Sequence, residues 1–299
     1  MSERPRLSVI VASYNSAATL ERCLESLESQ LDTSAQVIVA DCSSEDPRNS
    51  FRVQFPTVRF LHFEEKLTIP ELRREALKVT QGEIVAMTEG RMVPDADWAA
   101  ALIEAHNGDP KAAAVGGAID NKAGSSFDAA VYFCEYGRHM PPTGDGETLD
   151  LSGGNLSYKR WALEQCKDLV EAGAWEPFLN QRLAEQGHRL LRCERAVVEY
   201  RNSLTAGGFL RQRFHYGRWF AAARVEPYVP LVRPVFAAFC PFVPLLLTAR
   251  LARVVFGRRR RRGAFLLALP WILLFQTVWA AGEFCGYLAG KGASDRQVF

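Results

Sequence analysis

The feature that most constrains the fold is a regular alternation of short β-forming runs and amphipathic helical patterns in the first third of the 299-residue chain. The helical patterns cover residues 17–31 and 69–80. The β-forming runs around them predict four strands, at Leu7–Ala12, Gln36–Ala40, Val58–Phe63 and Glu83–Thr88. This alternation predicts βαβ units, and therefore an α/β protein with a mostly parallel sheet flanked by helices.

Polar clusters follow the first, second and fourth predicted strands. They occupy residues 13–16, 41–46 and 89–91. The carboxyl ends of neighbouring parallel strands meet at one edge of a sheet, and the ligands of such sheets bind beyond that edge. The sequence therefore predicts a ligand site there.

The middle of the chain continues the alternation less regularly. A helix is predicted at Asp97–Asn107 and a strand at Ala112–Ile119. Two more helices are predicted at Trp161–Val170 and Glu176–Gln186. The stretch 121–150 is rich in glycine, proline and charge, and it is predicted to be a mobile loop.

The end of the chain, from about Val229, is dominated by apolar residues. A helix needs about 20 apolar residues to cross a bilayer, and Ala264–Ala289 meets that length, so a transmembrane helix is predicted at 264–289. The stretch 234–256 is interrupted by prolines and is predicted to lie in the interface or to re-enter the leaflet. We therefore expect one domain at 1–225 and a membrane-associated region at 226–299.

Charge and cysteine content narrow the class of partner. The formal net charge of +2 is too small to indicate nucleic acid. The basic excess lies largely in Arg258–Arg262, beside apolar sequence, which favours phospholipid head groups. The seven cysteines contain no CxxC pair, so neither a disulfide framework nor a zinc site is predicted.

No signal peptide is visible, and the first domain is expected on the cytoplasmic side of a bacterial-type inner membrane.

Six short motifs follow one another along about residues 7–220, and each is weak by itself. They are SVIVASYNS from Ser8, ADCSSED from Ala40, ELRREAL from Glu71, TEGRMVPDADW from Thr88, SGGNLSYKR from Ser152 and WEPFLNQRL from Trp175. In this order and at this spacing they resemble the motifs of glycosyltransferase family 2, whose members have the GT-A fold. The resemblance implies an inverting enzyme of the hexosyltransferase type that uses a nucleotide-sugar donor.

The resemblance also implies where the donor binds. The positions it assigns to the nucleotide-sugar are Ala12, Tyr14, Asn15, Asp41, Ser44, Arg73, Glu89 and Arg91. Asp41 would accept a hydrogen bond from the nucleotide base, and Arg73 would lie beside the phosphates. The alternative for Asp41 is a cap or Asx-turn acceptor, and the alternative for Arg73 is a solvated charge on a helix.

The metal-binding DxD motif of the family is degenerate in this chain. The family offers two or more carboxylates to a divalent cation that neutralises the departing diphosphate, whereas this chain reads Glu89-Gly90-Arg91. Either Glu89 holds a weakly bound Mg²⁺ or Mn²⁺ with the substrate phosphates completing the shell, or Arg91 replaces the metal by binding phosphate oxygens. Glu199 and Tyr200 stand where the family often has a histidine, so weak or absent metal dependence is expected.

The last two motifs imply the base and the acceptor side. Aligning Leu179 and Arg182 with the L-x-x-R pattern of the family places Glu176 where the base takes the proton of the attacking hydroxyl. The alternative for Glu176 is the start of a helix with Pro177 in its first turn. The residues assigned to the acceptor side are Gly153, Gly154, Asn155, Trp175 and Arg182. The alternative for the first three is an ordinary hairpin turn.

The stretch Arg211–Trp219 mixes cations with aromatic residues just before the apolar region. Such a stretch suits a diphosphate-lipid head group or the bilayer interface. We therefore expect a lipid-linked or membrane-proximal glycan acceptor, as in polysaccharide biosynthesis. The competing hypothesis is a catalytically silent GT-A-like membrane assembly partner, which the degenerate DxD motif and Trp175-Glu176, in place of the two acids of the family, favour.

Overall fold

The computed structural model describes residues 5–31, 35–122, 124–225 and 232–297. The strands in these residues are β1 (Leu7–Ser13), β2 (Ala35–Asp41), β3 (Arg59–His62), β4 (Ile84–Glu89), β5 (Met92–Pro94), β6 (Ala112–Asp120), β7 (Gly146–Glu147), β8 (Asn155–Lys159) and β9 (Arg189–Tyr200). The helices are α1 (Ala17–Gln30), α2 (Arg48–Phe51), α3 (Ile69–Leu77), α4 (Trp98–Gly108), α5 (Ser126–Tyr136), α6 (Arg160–Gln165), α7 (Lys167–Glu171), α8 (Glu176–Glu185), α9 (Ala206–Val225), α10 (Val232–Phe239), α11 (Val243–Gly257) and α12 (Arg262–Ala289).

The chain forms two compact units. One, which we call the sheet unit, comprises Met1–Lys122 and His139–Arg201. The other, which we call the helical unit, comprises Ala123–Arg138 and Asn202–Phe299. The first unit holds the strands, and the second holds α5 and α9 to α12.

The described strands form one mixed sheet in the order β3-β2-β1-β4-β8-β6-β9-β5, with β7 paired to β9. The first four positions are parallel, as the βαβ alternation predicts. Beyond β4 the pairing changes, because β8 runs antiparallel to both β4 and β6. Strands β1, β4 and β6 are buried along their whole length, which is typical of a sheet covered on both faces. The predicted α/β class with flanking helices is confirmed, and the sheet is mixed.

Two parts of the chain differ from the sequence prediction. The stretch 121–150 is not one mobile loop, because it contains helix α5, which starts where Ser125 Oγ accepts a hydrogen bond from the Asp128 N–H at 3.0 Å. The glycines and prolines that suggested a loop flank this helix instead of interrupting it. Strand β9 is not predicted from the sequence, because its charged and apolar residues do not alternate regularly; it pairs with β6 on one side and with β5 and β7 on the other.

A buried histidine in the sheet unit makes the stability of the protein sensitive to acid. His106 of α4 lies 2.9 Å from Ser157 Oγ, and burial lowers its pKa from 6.5 to about 4. The folded protein therefore favours neutral His106, whereas the unfolded chain takes up a proton as pH falls below 6.5. We expect stability to decrease by about 3 kcal/mol at most from this group between pH 6.5 and 4.

Chemical unfolding of the detergent-solubilised protein at pH 7.5 and pH 5 checks this expectation. The loss of stability at pH 5 should become smaller in His106→Gln. His188→Gln is the matched control, because His188 lies near the surface against Gln165. An unchanged pH dependence in His106→Gln would contradict the assignment.

The helical unit is built around α12. Phe127 of α5 contacts Trp271 with ring centroids 5.5 Å apart, and Phe209 of α9 contacts Phe275 at 4.7 Å. Two helical stretches, Val232–Gly257 and Arg262–Ala289, are long and apolar enough to cross a membrane by length and composition alone.

Candidate active site

The carboxyl ends of β1, β2 and β4 lie side by side. In the register of the sheet, Ser13 of β1 is opposite Asp41 of β2, and Ala12 is opposite Glu89 of β4. The three polar clusters therefore meet at one edge of the sheet unit, which is the arrangement that the sequence predicts.

Asn15 joins the first two of these clusters. Its Oδ1 accepts a hydrogen bond from the Ser44 N–H at 3.1 Å, and its own N–H donates to Ser43 Oγ at 2.7 Å. Its backbone is left-handed (φ +47°), a conformation in which asparagine is enriched. Asn15 and Ser44 are both exposed, so their polar groups face solvent at this edge.

The carboxylate of Asp41 is fully buried and is held by two neighbours. Its Oδ1 accepts from the Ser43 N–H at 2.9 Å and lies 3.0 Å from His62 Nδ1, while Oδ2 accepts from Ser43 Oγ at 2.6 Å. These bonds form the Asx turn of the alternative interpretation. A carboxylate has about four acceptor positions, and these neighbours occupy three of those of Asp41.

Ala12 and Tyr14 lie at the same edge, Ala12 with its backbone carbonyl and Tyr14 with its aromatic ring. The Ala12 carbonyl accepts a hydrogen bond from the Gly90 N–H at 2.9 Å. Lys66 Nζ lies 5.0 Å from the centre of the Tyr14 ring, within the range of a cation–π contact. A Cβ at position 90 would lie 2.5 Å from Ser16 Oγ, so a larger residue there would require the Ser16 side chain to shift.

Arg73 of α3 lies at the centre of a buried cluster. Its Nη1 pairs with Glu176 Oε1, and its Nη2 lies 3.5 Å from Glu89 Oε1 and donates to the Gly153 carbonyl at 2.8 Å. The Arg73 side chain is only 4% exposed, so a solvated helical charge does not describe it. One guanidinium thus joins the end of β4, the start of α8 and the turn before β8, and we name these four residues the Arg73 cluster.

Local structure explains how the two helices reach this cluster. Helix α3 starts at a capping box in which Thr68 and Glu71 bond reciprocally, with Pro70 in the first turn. Helix α8 starts after Trp175 with Pro177 in its first turn, as predicted from the Glu-Pro pair. Glu176 is therefore a buried first-turn residue, at the helix end that favours an anion.

The Arg73 cluster also explains why the SGGN turn has glycine at position 153. A Cβ at Gly153 would lie 2.6 Å from Arg73 Nη1 and 2.7 Å from Glu176 Oε2. Any side chain there would push the ion pair apart. The carbonyl of Gly154 accepts a hydrogen bond from Thr88 Oγ1 at 3.0 Å, which fixes the turn on the end of β4.

The carboxylates near this edge are paired with protein cations. No group of three or more His, Cys, Asp or Glu side chains in the described residues is arranged to hold a metal ion. The carboxylate of Glu89 lies between two arginines, 3.5 Å from Arg73 and 3.7 Å from Arg91. Glu199 pairs with Lys122 and Arg201, each at 3.1 Å. Both carboxylates that the sequence offers are thus neutralised by protein cations, and these side chains alone do not form a divalent site.

The predicted acceptor-side residues Asn155 and Arg182 lie in different environments: Asn155 is buried in the sheet, and Arg182 is at the surface. Asn155 is fully buried, and its Nδ2 donates to the Ala118 and Ala196 carbonyls, each at 2.8 Å. Its Oδ1 accepts from Trp98 Nε1 at 2.7 Å, so this side chain holds the sheet together and has no donor left for a sugar hydroxyl. Arg182 lies outside the Arg73 cluster and faces Asp168 at 3.4 Å on the surface.

The structure adds His62, Ser43 and Lys66 to the candidate site. His62 is not among the residues predicted from the sequence, although it ends β3, next to Asp41 in the register of β2. The rule that ligands bind beyond the carboxyl ends of strands applies to the third strand as well. Applied there, it would have identified His62.

Comparison with known proteins finds similarity to glycosyltransferases. The family model described as Glycosyl transferase family 2 matches residues 8–166. An uncharacterised glycosyltransferase of Bacillus subtilis (strain 168), YfnE, is 36% identical over 106 residues, which is 34% of this chain and 27% of the relative. An uncharacterised protein of Mycobacterium tuberculosis (strain CDC 1551 / Oshkosh) is 30% identical over 97 residues, which is 31% of this chain and 30% of the relative. The chain thus spans less than a third of the length of these curated relatives.

A solved structure shares the fold of the whole chain. A mannosyltransferase from Pyrobaculum calidifontis, in complex with GDP-Man and Mn²⁺, superposes with a TM-score of 0.58 at 20% identity. The match covers 96% of this chain and 88% of that chain, and it supports the GT-A architecture. Because the family model extends over more than half of the residues, this chain belongs to glycosyltransferase family 2.

Proposed function

We propose that this protein is an inverting glycosyltransferase of the hexosyltransferase type, which moves a sugar from a nucleotide-sugar to a lipid-linked or membrane-proximal glycan. The observation that carries the proposal is the Arg73 cluster, in which donor-side Glu89 and acceptor-side Glu176 meet at one guanidinium. The GDP-Man complex of the mannosyltransferase supports a nucleotide-sugar as the donor class.

Glu176 is the proposed base. Inverting transfer is an in-line displacement, so the base stands on the side of the attacking hydroxyl and the phosphates stand on the opposite side. Glu176 stands in the first turn of α8 and pairs with Arg73, which holds its carboxylate in place. Arg73 also contacts Glu89, and it is therefore expected to fix the spacing between the base and the phosphate side.

Arg91 is proposed to supply the charge that a metal supplies elsewhere in the family. Replacing the second carboxylate of a DxD motif by arginine changes the charge at that position from minus one to plus one. The difference equals the charge of a divalent cation, so the electrostatic balance around a bound diphosphate is preserved. A divalent cation held by Glu89 together with the substrate phosphates stays a candidate cofactor, and the Mn²⁺ of the solved mannosyltransferase supports it.

Chelation separates these two arrangements. We expect EDTA to lower the transfer rate less than about twofold, and Arg91→Ala to lower it at least about tenfold, because a lost bidentate phosphate contact weakens transition-state binding. Arg195→Ala is the matched control, since Arg195 pairs with Glu104 at the surface of the same unit. Loss of activity on chelation, with recovery on adding Mn²⁺, would assign a catalytic cation to Glu89.

The function itself is tested by offering the full chain, in detergent or nanodiscs, a panel of nucleotide-sugars with membrane lipid extract as acceptor. The expected result is release of one nucleoside diphosphate together with a glycosylated lipid of inverted anomeric configuration. Retained configuration would overturn the inverting mechanism.

The competing hypothesis of a silent assembly partner predicts a different outcome. A silent domain releases no nucleoside diphosphate from any donor and need not bind one. Release of a nucleoside diphosphate from the donor panel therefore decides between the two, and calorimetric titration with UDP and GDP measures whether the domain binds one. Asp41→Asn should weaken binding at least about tenfold if Asp41 contacts the base.

A further inference from the structure

The two apolar stretches of the helical unit are packed against each other along their whole length. At one end Phe236 of α10 lies 5.4 Å from Tyr287 of α12, and at the other end Phe256 of α11 lies 6.3 Å from Phe265, measured between ring centroids. The path from α10 to α11 therefore runs antiparallel to α12. A membrane arrangement in which only one of the two stretches crosses would separate these contacts, so both cross or neither does.

Helix α9 runs parallel to the second half of α12. Phe209 lies 4.7 Å from Phe275 near one end, and Arg224 Nη1 donates to the Tyr287 hydroxyl at 3.1 Å near the other. A side chain at Gly217 would collide with the backbone of Trp279, so the two helices are in close backbone contact. If this half of α12 entered a bilayer, α9 would have to enter it to the same depth.

Helix α9 is too polar to enter hydrocarbon. It carries four arginines and one histidine in 20 residues. Arg213 is buried against α12, where it donates to Gln276 at 3.0 Å and stacks 4.1 Å from the Trp279 ring, and it lies 4.0 Å from Glu135 of α5. The part of α12 without α9 beside it, residues 262–274, would span about 20 Å, against the roughly 30 Å of a hydrocarbon core.

The opposite face of α12 is exposed and apolar. Leu267, Leu274, Phe284 and Leu288 are between 43% and 74% exposed. At about 100° per residue these positions fall on one side of the helix, and the residues that contact α5 and α9 fall on the other. We name these four residues the apolar stripe. Eleven of the fourteen exposed large apolar side chains in the described residues belong to α10, α11, α12 and the turn at 240–242.

The charge of the same region identifies what covers this face. Residues 232–262 contain eight arginines and no acidic residue, and five of the arginines form the turn Arg258–Arg262. If both stretches crossed, this turn would lie on the far side of the membrane, which the positive-inside tendency of short loops opposes. Arginines beside exposed apolar side chains fit anionic head groups and acyl chains at one bilayer surface.

We propose that the helical unit binds one leaflet of an anionic phospholipid bilayer, with the apolar stripe against the acyl chains and Arg258–Arg262 on the head groups. Neither apolar stretch crosses the membrane, and both ends of α12 lie on the same, cytoplasmic side of the bilayer. This replaces the expected single crossing at 264–289. The inference concerns membrane attachment alone, and it stands whether or not the protein transfers a sugar.

Cysteine labelling of the full chain tests the topology. In a cysteine-free background, Arg260→Cys and Ala293→Cys place one thiol at each end of α12, at exposed positions. We expect an impermeant maleimide to label neither position in intact spheroplasts and both in inverted vesicles. Labelling of position 260 from outside would establish a two-span hairpin, and labelling of position 293 from outside would establish a single crossing. Either result overturns the proposal.

Vesicle flotation tests the surface. Purified full chain should float with vesicles containing phosphatidylglycerol, and Leu267→Glu/Phe284→Glu should lower the bound fraction at least about tenfold. Val53→Glu is the matched control, because Val53 is 95% exposed in the sheet unit. Replacing Arg258–Arg262 by glutamine should remove the preference for anionic over neutral vesicles.

Unchanged flotation of the Leu267→Glu/Phe284→Glu variant would overturn the assignment of the stripe to lipid. Light scattering on the same variant tests whether a second copy of the chain, instead of lipid, covers the apolar stripe. If the wild-type chain is a dimer and this variant is a monomer, the stripe belongs to a second copy of the chain, which also overturns the proposal. Circular dichroism confirms that each variant is folded before either comparison is made.

Discussion

Replacing Glu176 by glutamine is expected to lower the turnover of sugar transfer by about a hundredfold or more, while the affinity for the nucleotide is retained. Glutamine has nearly the same shape as glutamate and can still accept a hydrogen bond from Arg73. It cannot take a proton from the attacking hydroxyl. The loss should therefore appear in kcat and not in the dissociation constant of the nucleoside diphosphate, which calorimetry measures.

The control for this variant lies on the same helix. Glu185, at the other end of α8, is exposed and accepts a hydrogen bond from Gln181 at 2.8 Å. Glu185→Gln should leave turnover unchanged within about twofold. Normal turnover in Glu176→Gln would remove Glu176 from the mechanism and would leave it the structural role of starting α8.

Replacing Arg73 by methionine is expected to damage both the fold and the activity. Methionine fills much of the volume, but Glu89 and Glu176 then lose the cation that they share. Breaking a buried ion pair by removing one partner typically costs about 3–5 kcal/mol. We expect a loss of that size in chemical unfolding, and at least about a hundredfold loss in turnover, because the base and the phosphate side are no longer held at a fixed spacing.

A double variant distinguishes lost charge balance from lost packing. Adding Glu176→Gln to Arg73→Met removes the carboxylate that loses its ion pair, so it should restore part of the stability but not the activity. Arg74→Met is the matched control, since Arg74 is the next residue of α3 and is 29% exposed beside Glu75. Equal losses of stability in Arg73→Met and Arg74→Met would contradict the buried ion pair.

The sequence by itself determined the four parallel strands β1 to β4 and the edge at which the polar clusters meet. Predicted and observed strands agree closely, for example Leu7–Ala12 against Leu7–Ser13 and Glu83–Thr88 against Ile84–Glu89. This part of the fold is local: periodicity selects strand or helix, and parallel pairing of consecutive βαβ units brings the carboxyl ends together. The start of α8 at Glu176 was predictable for the same reason, because the Glu-Pro pair acts on its own helix.

Only the tertiary structure decided what the polar residues contact. The local sequence does not show that Arg73 pairs with a carboxylate 103 residues away, or that His62 contacts Asp41. It also cannot show that Asn155 bonds to Trp98 and two carbonyls inside the sheet instead of facing a sugar.

The same limit governs the C-terminal helices. Hydropathy identifies α12 as long and apolar. It does not distinguish a helix surrounded by lipid from a helix that packs against a charged partner. Which of its faces is covered depends on α9, whose arginines reach α12 through contacts such as Arg213 with Gln276. Burial and pairing are properties of the packed chain, because they arise from residues distant in sequence that become neighbours only on folding.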